Sequence, residues 1–199
     1  METAVPFLDV SSNRWGQKIL VKGKNGKQSS SVRLQGTTSD IEKTTTEVLL
    51  RGRWFTQGED ETKSDVALIG QQVVESYFPT GSPLGERIEV GGREFRVIGV
   101  LEKKEELFGG DGGGSSNVIY MPMGSALRIK PNSDDLFILA VAKDGLLDEG
   151  KDQVQDLLRV RRQVPFGEDN NFSMETAASI IDQFKSITQG VFLAMVVIS

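Results

Sequence analysis

The chain has 199 residues, enough for one sizeable core or two small ones, and 38% hydrophobic with 26% charged residues is ordinary for a globular protein. With 23 basic and 28 acidic residues the formal charge is −5, and the basic clusters at Lys22 to Lys27 and Arg159 to Arg162 read as solvated surface, which argues against nucleic-acid recognition. Cysteine and histidine are absent, so this chain alone cannot build a disulfide framework, a thiol protease, a Ser-His-Asp hydrolase or a typical zinc site.

Met1 to Asp9 has neither the basic start nor the apolar run of a signal peptide. Phe7 to Val10 and Lys18 to Val21 are strand-like. A polar turn at Gly23 to Gly26 and a second strand at Ser31 to Leu34 predict a hairpin. The segment GKNGKQSS departs from a phosphate-binding loop, which would need glycine where Val21 stands and Ser or Thr where Gln28 stands. Thr37 to Thr46 is a polar connector with one helical turn started by Ser39 or Asp40. Glu59, Asp60, Glu61 and Asp65 form an acidic turn whose spacing does not match a calcium loop.

The stretch from Val66 to Leu101 organises the rest. Val66 to Gly70 is a short apolar strand, and Val73, Val74, Tyr77 and Phe78 share one face of a helix that Pro79 ends. RIEV (Arg87 to Val90) and REFRVIGVL (Arg93 to Leu101) flank Gly91-Gly92, which fits a type I′ hairpin with Ile88 opposite Phe95 and with Val90 and Val97 on the same face. Residues 102 to 117, with five glycines, read as a loop. In it Leu107 and Phe108 are either a docking tip for a partner or tucked back onto the hairpin.

Val118 to Pro122 (VIYMP) is a further strand. Leu136 to Val141 (LFILAV) is a continuous apolar run that predicts a strand buried on both faces. After Gly145 a helix carries Leu147, Gly150, Val154, Leu157 and Leu158 on one side, with acidic residues early and Arg159, Arg161 and Arg162 late. Pro165 and Gly167 end it, Phe172 to Met174 reads as a short strand, and a second helix begins at Thr176. That order predicts a βαβ unit with parallel strands. Ala177, Ile180, Ile181, Phe184, Ile187 and Val191 form a stripe leading into Val191, Phe192, Leu193, Ala194, Met195, Val196, Val197 and Ile198, eight apolar residues that fall short of the roughly 20 needed to span a bilayer.

The order VALIG, short helix ending in YF, P-x-G, hairpin with GG and FRVIGVL resembles the periplasmic core domain of MacB-type ABC transporter permeases, relatives of the lipoprotein-releasing and FtsX-like permeases. Leu49, Gly52, Arg53 and Phe55 resemble the family's L-x-x-G-R-x-F segment, and VIYMP its V-x-x-P strand with one residue more before the proline. The resemblance implies an α+β fold of two subdomains, a mainly β one at 46–133 inserted into an α/β one of 1–45 plus 134–189, with 190–199 starting a transmembrane helix. It also implies that the strand and helix which follow the first transmembrane helix in the family are missing here.

By the same resemblance the domain lies in the periplasm on the cell inner membrane and passes on movement driven by ATP hydrolysis elsewhere; with no histidine, cysteine or phosphate loop, no catalytic, cofactor or metal site is expected. The implied partners are an ABC ATPase domain or subunit, a second permease copy, a periplasmic adaptor protein, an outer-membrane duct and the membrane. Membrane entry falls to Val191, Phe192, Leu193, Met195, Val196, Val197 and Ile198. Two other readings stay open: a free-standing secreted binding or adhesion domain, and a secreted hydrolase using paired carboxylates of the 59–65 turn and Asp111.

Overall fold

A computed structural model describes residues 3–9, 18–23, 25–102, 115–131 and 136–176, with Ser179, Lys185 and Thr188 beyond them. The chain divides into two compact units, Met1–Ala142 and Lys143–Ser199. Among the described residues the first unit holds one sheet built from β1 (Thr3–Asp9), β2 (Val21–Lys22), β3 (Gln28–Ser29), β4 (Arg33–Thr37), β5 (Leu49–Gly52), β6 (Val66–Gly70), β7 (Arg87–Val90), β8 (Arg93–Leu101), β9 (Val118–Pro122) and β10 (Leu136–Val141). Helices α1 (Ile41–Thr44), α2 (Gln57–Glu61), α3 (Gln71–Tyr77) and α4 (Met123–Ile129) accompany it. The strand order is β10-β1-β4-β9-β6-β8-β7-β2-β3, with β5 pairing β8 off that path, so strands from both of the expected subdomain segments share one sheet.

The centre of the sheet follows from its residues. β6 and β9 are buried at every position, and their alternate side chains supply two cores. Ala67, Ile69, Ile119 and Met121 join Leu8, Leu34, Val73, Tyr77, Ile88, Phe95 and Val97 in one cluster. Leu68, Val118 and Tyr120 join Val5, Phe7, Ile41, Phe55 and Leu101 in the other. A strand with apolar residues on both sides needs cover on both faces, which is why β6 and β9 sit mid-sheet. β8 runs parallel to β6 and antiparallel to β7.

The β7–β8 hairpin forms as expected: Ile88 faces Phe95, Val90 faces Arg93, and Gly91 and Gly92 have φ of 58° and 80°, as a type I′ turn requires. The first hairpin differs from expectation. β2 pairs with β3 at 28–29, and Ser31 to Leu34 instead leads into β4, which lies parallel to β9 and places Leu34 in the core.

Two further expectations are corrected. β10 is not doubly buried: among the described residues it pairs only with β1, antiparallel, at the sheet edge, and Leu136 to Leu139 are 42–54% exposed. An apolar run marks a central strand only if the chain lays neighbours on both edges, and β10 has one. Stacking of Phe137 on Phe7, with centroids 5.1 Å apart, is its local anchor. Phe172 to Met174 forms no strand either, so no parallel βαβ unit arises there among the described residues. Phe172 is instead engaged by Arg162, whose guanidinium lies 5.9 Å from the ring centroid.

The second unit contains α5 (Leu147–Arg161) as expected, with Asp148 and Glu149 in its first turn and Arg159 and Arg161 in its last. Thr176 and Ser179 exchange backbone-to-hydroxyl hydrogen bonds of 2.9 and 3.1 Å, the reciprocal pattern of a helix N-terminus, and Ser179, Lys185 and Thr188 are helical.

Candidate functional site

Three constellations of polar side chains stand out in the first unit, and the first two have structural tasks. The first is the L-x-x-G-R-x-F corner. Gly52 takes φ 84° against β8, where a Cβ would run into the Ile98 carbonyl, and the Arg53 N–H donates to that same carbonyl at 3.1 Å. Arg53 grips Glu59 with two 2.7 Å bonds, while Thr56 and Glu59 form a capping box at the start of α2. The guanidinium, with the Thr56 N–H and hydroxyl, holds the Glu59 carboxyl far below its ordinary value, at about 2. That state is the opposite of a general acid. Phe55 is buried in the second core cluster.

The second constellation locks β6, β8 and α4 together. Asp65 accepts from Arg93 at 2.9 Å and lies 3.6 Å from Arg128. Arg128 also donates to the Lys63 carbonyl at 3.0 Å, and the fully buried Ser125 hydroxyl bonds the carbonyls of Lys63 and Ser64 at 2.9 and 3.0 Å. These contacts hold Lys63 in the left-handed region, at φ 52°.

The third is an open groove of about 490 Å³ by the two hairpins, lined in part by Lys22, Gln28, Glu86, Arg87, Glu89 and Glu94. Lys22 pairs with Glu89 at 3.0 Å and Arg87 with Glu94 at 2.6 Å across its walls.

This geometry offers little to the carboxylate hydrolase reading. Glu59 and Asp65 are bound to arginines, and Asp60, raised by burial, accepts from the Ser39 N–H at 3.3 Å. Asp111 lies outside the described residues. Among the described residues no group of three or more acidic side chains could hold a metal ion. In the GKNGKQSS segment Asn25 to Lys27 lie in the turn before β3 and Gln28 and Ser29 form β3 itself, so the segment leads into a strand and not into a helix. Tyr120 is pushed up to about 12, first by burial and then by Glu47.

The residues expected to enter a membrane, Val191, Phe192, Leu193, Met195, Val196, Val197 and Ile198, and the expected docking pair Leu107 and Phe108 lie outside the described residues. Among the described residues no helix is long and apolar enough to cross a membrane. Sequence reasoning missed the Asp65 lock, whose partners are 28 residues or more apart. It also missed the Arg53–Glu59 clasp, for which the Thr56-x-x-Glu59 capping pattern was the available signal.

Known proteins share both the sequence pattern and the fold. The family described as MacB-like periplasmic core domain matches residues 1–188. A macrolide export ATP-binding/permease protein MacB of Chlorobium phaeobacteroides is 29% identical over 146 residues, covering 72% of this chain and 22% of that protein. A pyoverdine export ATP-binding/permease protein PvdT of Pseudomonas putida is 27% identical over 150 residues, covering 74% and 22%. The chain therefore spans about a fifth of the length of the curated relatives it matches. The crystal structure of the periplasmic region of MacB from Actinobacillus actinomycetemcomitans superposes with a TM-score of 0.71 at 18% identity, covering 93% of this chain and 76% of that one, a likeness of fold.

Proposed function

The chain belongs to the MacB-like periplasmic core domain family, and on that premise we propose that it is the extracytoplasmic part of an ABC transporter permease that exports a substrate. The observation that carries this reading is the family match over residues 1–188, supported by relatives that are ATP-binding/permease proteins. The domain does no chemistry in this reading. It moves as a mechanical part while ATP is hydrolysed on an ATPase domain or subunit, in an assembly with a second permease copy in the inner membrane. A periplasmic adaptor and an outer-membrane duct complete the path. Residues 190–199 begin the helix that enters the bilayer, with 46–133 as an inserted subdomain. The two relatives are named for different exports, a macrolide and pyoverdine, so the cargo is left open.

The test needs no knowledge of the cargo. The chain has no cysteine, so Gln72→Cys, at an exposed position on α3, gives a single spin-label site within it. In the full-length protein, freed of any other cysteines and reconstituted in lipid, distances between labels on two copies are expected to shift between nucleotide-free and ATP-bound states. A distance distribution indifferent to nucleotide would overturn the reading.

A further inference from the structure

The second unit carries a motif that the transport reading does not use. Of the chain's asparagines, only Asn171 is followed two residues later by Ser or Thr with no proline between, in Asn171-Phe172-Ser173. Asn-x-Ser/Thr is the acceptor signal for N-linked glycosylation, in which the side-chain amide is the nucleophile and the hydroxyl two residues on is a second point of contact for the transferase. Asp169 stands two residues before the asparagine and completes Asp-x-Asn-x-Ser. A carboxylate there offers an enzyme guanidinium a charge-assisted hold on the acceptor segment, which makes this the longer and more selective form of the signal.

A short pattern is a weak signal by itself, and its structural context decides. Past α5 the chain turns back at Gln163, whose φ is 53°, and residues 164–175 belong to no helix or strand. Arg159 holds the first part of this loop: its Nη2 donates to the Pro165 carbonyl at 2.7 Å, and its Nη1 donates to the Glu168 carbonyl at 2.9 Å and to Asn170 Oδ1 at 2.6 Å. Arg162 donates to the Asn171 carbonyl at 3.2 Å. The two adjacent asparagines are therefore in different states. Asn170 has its side chain bound by Arg159 and has Phe172 where the signal needs a hydroxyl. Asn171 is held by its backbone, and among the described residues its side-chain amide makes no hydrogen bond. Asp169, Asn171 and Ser173 are all exposed.

A transferase must draw the acceptor backbone into its own site, and an asparagine within a helix or strand would first have to break its ladder of hydrogen bonds. Asn171 has no such ladder to break. The family description places this domain outside the cytoplasm, where N-linked glycosylation takes its acceptors. We propose that Asn171 is a glycosylation site, and that the donor is an oligosaccharide linked through pyrophosphate to a membrane lipid. In the transfer the Asn171 amide nitrogen bonds to the anomeric carbon of the first sugar. The bond from that carbon to the pyrophosphate oxygen breaks, the lipid pyrophosphate leaves with the electron pair, and the amide gives up one proton to a base of the transferase. No oxidation state changes. The inference rests on the extracytoplasmic location in the reading above and on no other part of it.

The test uses the full-length protein purified from its own cells, with the peptides that span residues 163–176 read by tandem mass spectrometry. A saccharide mass on Asn171 is expected. Asn171→Gln and Ser173→Ala are each expected to remove it and Ser173→Thr to keep it, while the circular dichroism and Tm of the protein stay unchanged. Asp169→Ala is expected to lower occupancy about tenfold, and Asp169→Glu to restore it. An unmodified Asn171, a saccharide that persists in Asn171→Gln, or an occupancy that Ser173→Ala and Asp169→Ala leave unmoved overturns the proposal. Location is checked separately with Asn171→Cys, in the protein freed of any other cysteines, by a maleimide that does not cross the inner membrane. Labelling of that variant in intact cells while the wild-type Asn171 is unmodified overturns the glycosylation site and leaves the extracytoplasmic reading standing. Labelling only after lysis overturns both.

Discussion

Glu59 and the Gly91-Gly92 pair are the positions where single residues set the most local structure. Glu59 combines the Arg53 clasp with the α2 capping box, so Glu59→Gln is expected to cost about 1–2 kcal/mol at neutral pH, the range for a charge-assisted cap on a partly exposed group. Its folded-state pKa is depressed from 4.5 to about 2, so the native carboxylate's contribution is complete above pH 4.5 and is lost as pH falls toward 2. Urea titrations of both proteins at pH 7 and pH 2.5 check this: the gap between them is expected to narrow severalfold at the lower pH. At the hairpin, replacing Gly91 and Gly92 together with valine forces two β-branched residues to positive φ and sets a Cβ at 91 within 3.1 Å of Ile129. A loss of about 2–5 kcal/mol in denaturant unfolding is expected, and an unchanged midpoint would place the turn elsewhere.

At the scale of elements, local chemistry was legible and long-range pairing was not. β6, α3 and the β7–β8 hairpin could be read directly, since Gly91-Gly92 fixes the register within four residues of the turn and Val73 and Tyr77 mark the buried face of α3. The L-x-x-G-R-x-F corner was recognisable as a pattern, but the reason for its glycine, the close approach to Ile98 on β8, depends on a strand far along the chain. β10 shows the limit. LFILAV and VIYMP are alike in apolar content, yet among the described residues β9 lies between β4 and β6 while β10 has β1 alone, a difference no property of either segment encodes. Equivalent substitutions should therefore differ. Ile69→Ala, at a fully buried position, is expected to cost about 2–5 kcal/mol, and Ile138→Ala, at a site 54% exposed, under about 1 kcal/mol in the same unfolding assay.

At the scale of the whole chain, the first unit is braced on both faces of its sheet. Two cores on opposite faces of β6 and β9, with the Asp65, Arg93 and Arg128 contacts joining strand to helix, make the first unit hard to deform internally, so a force applied to it is expected to move it as a body. On the proposed transport reading, force enters through the segment that begins at Thr176 and Ser179, where the sequence carries an apolar stripe through Ile187 into Val191 to Ile198. A rod transmits displacement only while its hydrogen-bond ladder is continuous, and proline both removes one bond of that ladder and clashes with the carbonyl four residues before it. On that reading, Ile187→Pro is expected to abolish ATP-driven export by the full-length protein while the melting temperature of the isolated 199-residue chain falls by only a few degrees. Two measurements on one variant separate the possibilities. Export lost with the fold intact identifies a transmitting rod, export retained shows that this helix is not the route, and a collapsed melting temperature shows that position 187 is part of the fold's own support.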